Sequence, residues 1–300
     1  MTGCAVCGGD QLAVRVRSPR LTVLRCRRCG VHIAQPPALG VAGGDYYAAL
    51  NLDDYLAYYE PFRLRVFRKN WQWIAARQPR GIALDIGASF GWFLRTAPPG
   101  WRVRGLEPAA DVAARGRARG LDIRTGGIDA LADDPERYDL ITLWNVFEHL
   151  PAPRRVLRLI HGHLAPGGLL ALSIPSRHGL YNRLAYAAAT ISGGRFVDPL
   201  ATLFQVNNPA PHLFHYAPRD LRRLLRGAGF EVLAIVPQPI VDVRRLALRA
   251  KLEPGRSLAA SRAGRALMIG VAGLSWLLRL PDEIAVYARA GYTRLTTNEE

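Results

Sequence analysis

The sequence has almost no lysine. Of its 40 basic residues only Lys69 and Lys251 are lysines and the other 38 are arginines; 24 acidic residues leave a formal net charge of +16. There is no cysteine after residue 29, which excludes a disulfide framework running through the chain. No apolar run reaches the roughly 18 residues that a membrane-crossing helix needs, and no secretory leader pattern precedes Cys4. The expectation is a cytoplasmic protein. With acid this scarce, charge favours an anionic partner: a phosphorylated substrate, a nucleic acid or a membrane. Apolar material is plentiful, 49% of 300 residues. That suits one ordinary domain with an attachment, or two small domains.

The chain is organised around Ile82–Leu94. A short apolar run, Ile82 to Ile86, leads into Gly87-Ala-Ser89-Phe-Gly91, and an apolar, helix-like segment follows. Nucleotide-type cofactors sit on this combination of strand, tight turn and helix N-terminus, because glycine admits the ligand close to the backbone and the helix start offers unpaired N–H groups. Glu107 stands 22 residues after Asp85, at the end of a second strand-like run from Trp101. A carboxylate there can take both hydroxyls of a ribose. The dinucleotide fingerprint is not met: the spacing is G-x-S-x-G, the third glycine is missing, and Asp85 precedes the first glycine by two residues. Further on, Tyr138–Leu150 begins as a buried strand, Leu140–Leu143. The polar group Asn145, Glu148 and His149 lies beyond its C-terminal end, where open α/β sheets bind ligands.

Together with Ala165-Pro-Gly-Gly168 and Arg223–Leu233, these segments resemble the class I S-adenosylmethionine (SAM) methyltransferases of the type 11/12/23 group. Asp85–Gly91 resembles their D-x-G-x-G-x-G motif, with Ser89 in place of the middle glycine. The resemblance implies an α/β fold: a Rossmann-like sheet of seven strands, the last antiparallel and placed at Glu283–Ala290. It further implies that Asp85, Gly87, Ser89, Gly91, Glu107 and Asn145 surround SAM, that Ile128 flanks the adenine and that Asp129 reaches its amine. As a local reading, Asp129 also suits a helix N-cap.

All four cysteines fall in two C-x2-C pairs, Cys4/Cys7 and Cys26/Cys29, each followed by glycine. Four thiolates at this spacing make a closed, structural zinc site; two disulfides or four buried thiols are the other readings. Leu12–Val16 and Leu21–Arg25 read as strands of a zinc ribbon. The implied organisation is a ribbon over 1–40, a helical connector over 41–80, and a SAM-binding domain over 81–300. The last carries a substrate cap at 177–215 and an insertion at 238–282. In the connector, Tyr55, Tyr58 and Tyr59 share a helix face, which either packs over the sheet edge or, with Tyr46 and Tyr47, closes over the ligands.

Methyl transfer mainly requires alignment, and a base is needed when the acceptor is a hydroxyl or a carbon acid. His149, His212 and His215 are the candidates, each also readable as a structural hydrogen-bonding group. The acceptor expected is a small molecule, a sugar or glycan, or a lipid-linked compound, anionic in character, with O-, N- and C-methylation all open. Ribosomal RNA is the alternative, as is a non-catalytic scaffold. Nucleic acid is disfavoured because Trp144-Asn-Val-Phe stands where base-amine methylation uses N/D-P-P-F/Y. In the insertion, seven basic residues precede the uncharged run Ala266–Leu278. This suits either peripheral contact with the inner face of a membrane through 240–280, or a helix pair packed on the cap or on a second subunit. The oligomeric state stays open.

Overall fold

The computed structural model describes residues 3–35, 47, 50–206, 208–252 and 261–291. The chain opens with three strands, β1 (Leu12–Arg17), β2 (Thr22–Cys26) and β3 (His32–Gln35), followed by the long helix α1 (Leu52–Ala75). Then come β4 (Gly81–Ile86), β5 (Trp101–Glu107), α2 (Ala110–Arg117), β6 (Ile123–Thr125), β7 (Tyr138–Trp144), α3 (Pro153–His163) and β8 (Leu164–Pro175). The cap supplies α4 (Leu180–Ile191), α5 (Asp198–Leu203) and β9 (Phe214–His215). After it follow α6 (Pro218–Gly227), β10 (Phe230–Gln238), α7 (Leu246–Leu252), α8 (Arg262–Leu277) and β11 (Glu283–Ala290).

The main sheet has seven strands in the order β10-β11-β8-β7-β4-β5-β6. β11 runs antiparallel to both neighbours, and the remaining pairs are parallel. Burial on both faces explains why β7 and β8 are near-continuous apolar runs rather than alternating ones. Strand order reverses between β4 and β7, and open α/β sheets form their ligand crevice at that point, beyond the carboxyl ends of the strands. Asp85, Glu107 and Asn145 all stand there.

The sheet's position is set by α1. Asn51 caps this helix by accepting the amides of Asp53 and Asp54 at 3.1 Å. Its apolar side, including Phe62, Phe67, Trp71 and Ile74, shares one buried cluster with Phe93, Leu140 and Ala285. Pro61 lies inside α1, and the helix continues through it. Proline at that position leaves the Ala57 carbonyl without its helical N–H donor, and the Arg245 guanidinium donates to it instead at 2.8 Å.

The ribbon strands form a second sheet, β1-β2-β3-β9, closed by two residues of the cap. Cys4, Cys26, Val31 and Ile33 share the main buried cluster with Leu143, Phe147, Phe214 and Tyr216. The ribbon is therefore built onto the seven-stranded sheet through Phe214 and His215, a long-range pairing that no local pattern announces.

Candidate functional site

At the end of β4 the backbone turns sharply. The amides of Gly87 and Ala88 both donate to the Leu106 carbonyl, at 2.7 and 3.1 Å. Gly87 has φ +72°, and a Cβ there would lie 2.4 Å from Cγ2 of Val146. Glycine is required on both counts. Ser89, in place of the family's middle glycine, adopts φ +51°. Its amide donates to Oε2 of Glu107 at 2.8 Å, and its hydroxyl meets that of Tyr47 at 2.9 Å. The helix expected after Gly91 does not form. The segment is turns and a short 3-10 turn, Leu94–Thr96, because Pro98-Pro99 stops it and Trp92, Phe93 and Leu94 are drawn into the core. The anion-binding helix start expected there is absent, and the amides of Gly87, Ala88 and Ser89 are already bonded to Leu106 and Glu107.

Two carboxyls meet this turn from below. Glu107 accepts the amides of Ser89 and, at 3.0 Å, Ala109. Burial raises its pKa and these two donors pull it back. An ionised carboxylate has about four acceptor positions, so two remain for the hydroxyls of a ribose. Asp85 is 2% exposed. Burial pushes its carboxyl up to about 8, against the Thr142 hydroxyl, which donates to Oδ1 at 2.6 Å. Without a cationic ligand, Asp85 is neutral at pH 7.

The third wall follows β7. Asn145, at φ +57°, donates its amide to the Ser173 carbonyl at 3.0 Å. Glu148 and Glu283 are buried beside it. Burial pushes Glu148 up to about 8, against its own backbone amide, and burial raises Glu283, against the Arg63 charge and the Asn145 side-chain amide. His149 shares Nδ1 with the Pro211 carbonyl at 3.0 Å. A carbonyl only accepts, so Nδ1 carries the proton and Nε2 keeps its lone pair. His212 stands edge-on to His149, ring centroids 4.7 Å apart, with Nε2 3.9 Å from Oε1 of Glu148. Ligand atoms of Glu148, His149 and His212 all lie within 4.8 Å of one another. Burial lowers the pKa of both histidines, so each is neutral at pH 7.

The remaining expected residues divide: Gly126, at the start of the Ile128–Asp129 segment, donates its amide to the Glu107 carbonyl at 3.0 Å, whereas His215 lies away from the crevice. His215 faces the ribbon: it stacks on Phe204 at 3.7 Å, meets the Tyr186 hydroxyl at 3.4 Å, and burial lowers its pKa to about 3. Ile128 and Asp129 begin a 3-10 turn whose N-cap is Gly127, so Asp129 is no cap. Its exposed carboxylate pairs with Arg155 at 2.5 Å instead. Of the tyrosines, Tyr55 and Tyr58 are buried in helix packing, Tyr47 reaches the turn, and Tyr46 lies outside the described residues. Thr142 and Glu283 were not foreseen. The available signal was a polar residue in the apolar run of β7 and an acid at the head of β11.

At the other end of the ribbon, Sγ of Cys4 lies 3.7 Å from that of Cys29, and Sγ of Cys7 lies 3.5 Å from that of Cys26. All four sulfurs fall within 4.8 Å of one another. Disulfides need about 2.05 Å, whereas a tetrahedron with zinc–sulfur bonds of about 2.3 Å needs edges of roughly 3.8 Å. Gly8 (φ +72°) and Gly30 (φ +86°) turn the two knuckles.

A methyltransferase-domain profile matches residues 57–235, the span that holds every carboxyl described above except Glu283. A ubiquinone biosynthesis O-methyltransferase of Burkholderia thailandensis is 25% identical over 180 residues, 57% of this chain and 74% of that protein. Among solved structures, a methyltransferase in complex with the Haloferax volcanii Trm112 methyltransferase activator superposes with a TM-score of 0.54. Identity there is 17%, over 83% of this chain and 97% of that one. A SAM-dependent methyltransferase from Archaeoglobus fulgidus gives a TM-score of 0.51 at 17% identity, over 76% and 94%. These structures share the fold, with its single reversed strand. The match over more than half its length places this chain in the methyltransferase-domain family, as a SAM-dependent methyltransferase.

Proposed function

We propose that the protein methylates a hydroxyl of a small-molecule acceptor that enters beneath the cap, with His149 as general base. The observation that carries this is the His149 Nδ1 contact with the Pro211 carbonyl, which favours the neutral tautomer with Nε2 unprotonated on the turn that follows Asn145. SAM, when bound, supplies a methyl carbon already attached to a good leaving group. Glu107 and the 85–91 turn would hold its ribose and its amino acid end, and Asn145 would line the same crevice. His149 Nε2 would take the hydroxyl proton as the oxygen–methyl bond forms. His212 would hold the His149 ring in place. The O-methyltransferase names among the relatives support oxygen as the methylated atom. An anionic acceptor suits the arginine-lined hollow of Arg219, Arg222, Arg223 and Arg226 on α6, which directly follows β9. The four-thiolate cluster would hold one structural zinc ion.

The test uses SAM with a deuterated methyl group and a metabolite extract. The expected product is a hydroxylated small molecule carrying the label on oxygen, its yield cut by about 10²-fold in His149→Ala with SAM affinity kept. Label on nitrogen or carbon, label in RNA, or full activity of His149→Ala would overturn the reading.

A further inference from the structure

Helix α8 is the least explained element of the molecule. Sixteen residues make it roughly 24 Å long, and no described helix is long and apolar enough to cross a membrane. Only Gly264 and Ser275 of the helix are buried. Leu267, Ile269, Leu274, Trp276 and Leu277 are exposed, from 45% for Leu274 to 79% for Leu277. At about 100° per residue these side chains, with Gly270 and Gly273 between them, cover a continuous apolar arc of roughly 200°. The opposite side rests on α4. A core helix would show the reverse, and the packing on the cap that the sequence allows uses only the narrower side.

Charge decides what covers the wide side. Arg262 and Arg265 lie in the first turn, Arg279 follows the last, and Arg262–Leu277 contains no Asp or Glu. Pairing α8 with its copy in a second molecule would set these arginines against each other, whether the helices ran parallel or antiparallel, inside a pair of chains each carrying +16. An anionic bilayer meets both features: acyl chains take the apolar arc and phosphates take the arginines at its two ends. Trp276 sits in the last turn, suited to the headgroup level.

We infer that α8 lies flat in the surface of an anionic lipid bilayer and holds the cap against it. Hydrogen bonds join the end of α8 to the cap. Leu180 at the start of α4 donates its amide to the Leu280 carbonyl at 3.0 Å, and Asn182 donates to Asp282 through backbone and side chain at 3.1 and 3.3 Å. α4 itself exposes Leu184 and Ile191, and Phe196 is exposed just beyond it. An acceptor with an apolar tail would then reach the crevice from the lipid.

Co-sedimentation of the full chain with phosphatidylglycerol-containing vesicles, with pure phosphatidylcholine as control, tests the inference. At low salt the protein should pellet with the anionic vesicles only. Leu274→Glu/Leu277→Glu should weaken binding at least about tenfold, and Arg262→Gln/Arg279→Gln should weaken it with a smaller salt dependence. SAM binding, measured on every variant, reports folding and is expected to be unchanged. No pelleting of SAM-competent wild type at low salt would overturn the inference. So would vesicle binding that ignores both variants, or a dimer in light scattering that Leu277→Glu dissociates while vesicles bind nothing. Because the readout is vesicle binding, it stands or falls separately from the choice of acceptor hydroxyl.

Discussion

His32 of the ribbon and His215 of the cap lie opposite each other across the antiparallel pair β3–β9. Two residues along, the Ala34 amide donates to the Leu213 carbonyl at 2.9 Å, and the Leu213 amide donates to the Glu148 carbonyl at 2.9 Å. Backbone hydrogen bonds thus run unbroken from the cysteine ribbon to the turn that carries His149. The ribbon braces the His149 side of the crevice, while β4 and β5 carry the Asp85 and Glu107 side.

Metal loss should therefore act unevenly. Native protein is expected to carry about one zinc per chain, and Cys26→Ser to carry far less. That variant should melt more than about 5 °C lower, roughly 2 kcal/mol in a chain of this size. Turnover should fall more than SAM affinity does. Metal analysis with parallel melting curves checks this, and a metal-free wild type with four reduced thiols would refute the zinc assignment.

Gly87→Ala places a Cβ against Val146 and forces an L side chain to φ +72°. Strain of this kind costs about 1–3 kcal/mol, so urea unfolding should shift by that amount and SAM binding should weaken with it. A variant as stable as wild type would mean that the turn is looser than described.

The pH dependence follows from Asp85. Its carboxyl titrates near 8 when folded, because of burial, and near 3.9 when unfolded. Between those values the folded state holds more protons, so this group's stabilisation is complete below about pH 4 and lost as pH rises through 8. Glu148, also near 8 through burial, acts in the same direction. Without SAM, the protein should lose stability from pH 6 to 9, and Asp85→Asn should lose less. SAM carries positive charge at its sulfonium and amino groups, which favours ionised Asp85. Its binding should tighten over the same range and release protons. Denaturant unfolding at the two pH values, with calorimetry in buffers of different ionisation enthalpy, measures both effects.

Where a signal was local, it was readable. The last strand, Glu283–Ala290, has the bounds its apolar run suggests, and Asp85, Glu107 and Asn145 meet at one crevice because parallel sheets place the ends of their strands together. Errors came where distant residues overrode a local pattern. The apolar residues after Gly91 looked helical but were recruited singly into the core. β9 is two residues long and exists only because β3 is beside it. The three histidines looked equivalent by residue type; burial and partners separate His149, at the crevice, from His215, which is locked between Phe204 and Tyr186.

The central claim is that SAM sits on the 85–91 turn with its ribose on Glu107. Titration calorimetry of SAM into wild type and Glu107→Ala tests it most directly. Wild type should bind one SAM per chain, and the variant, still folded by circular dichroism, should bind about 1–3 kcal/mol more weakly through loss of charged hydrogen bonds. Equal affinity in the two proteins, or no binding to wild type, would contradict it.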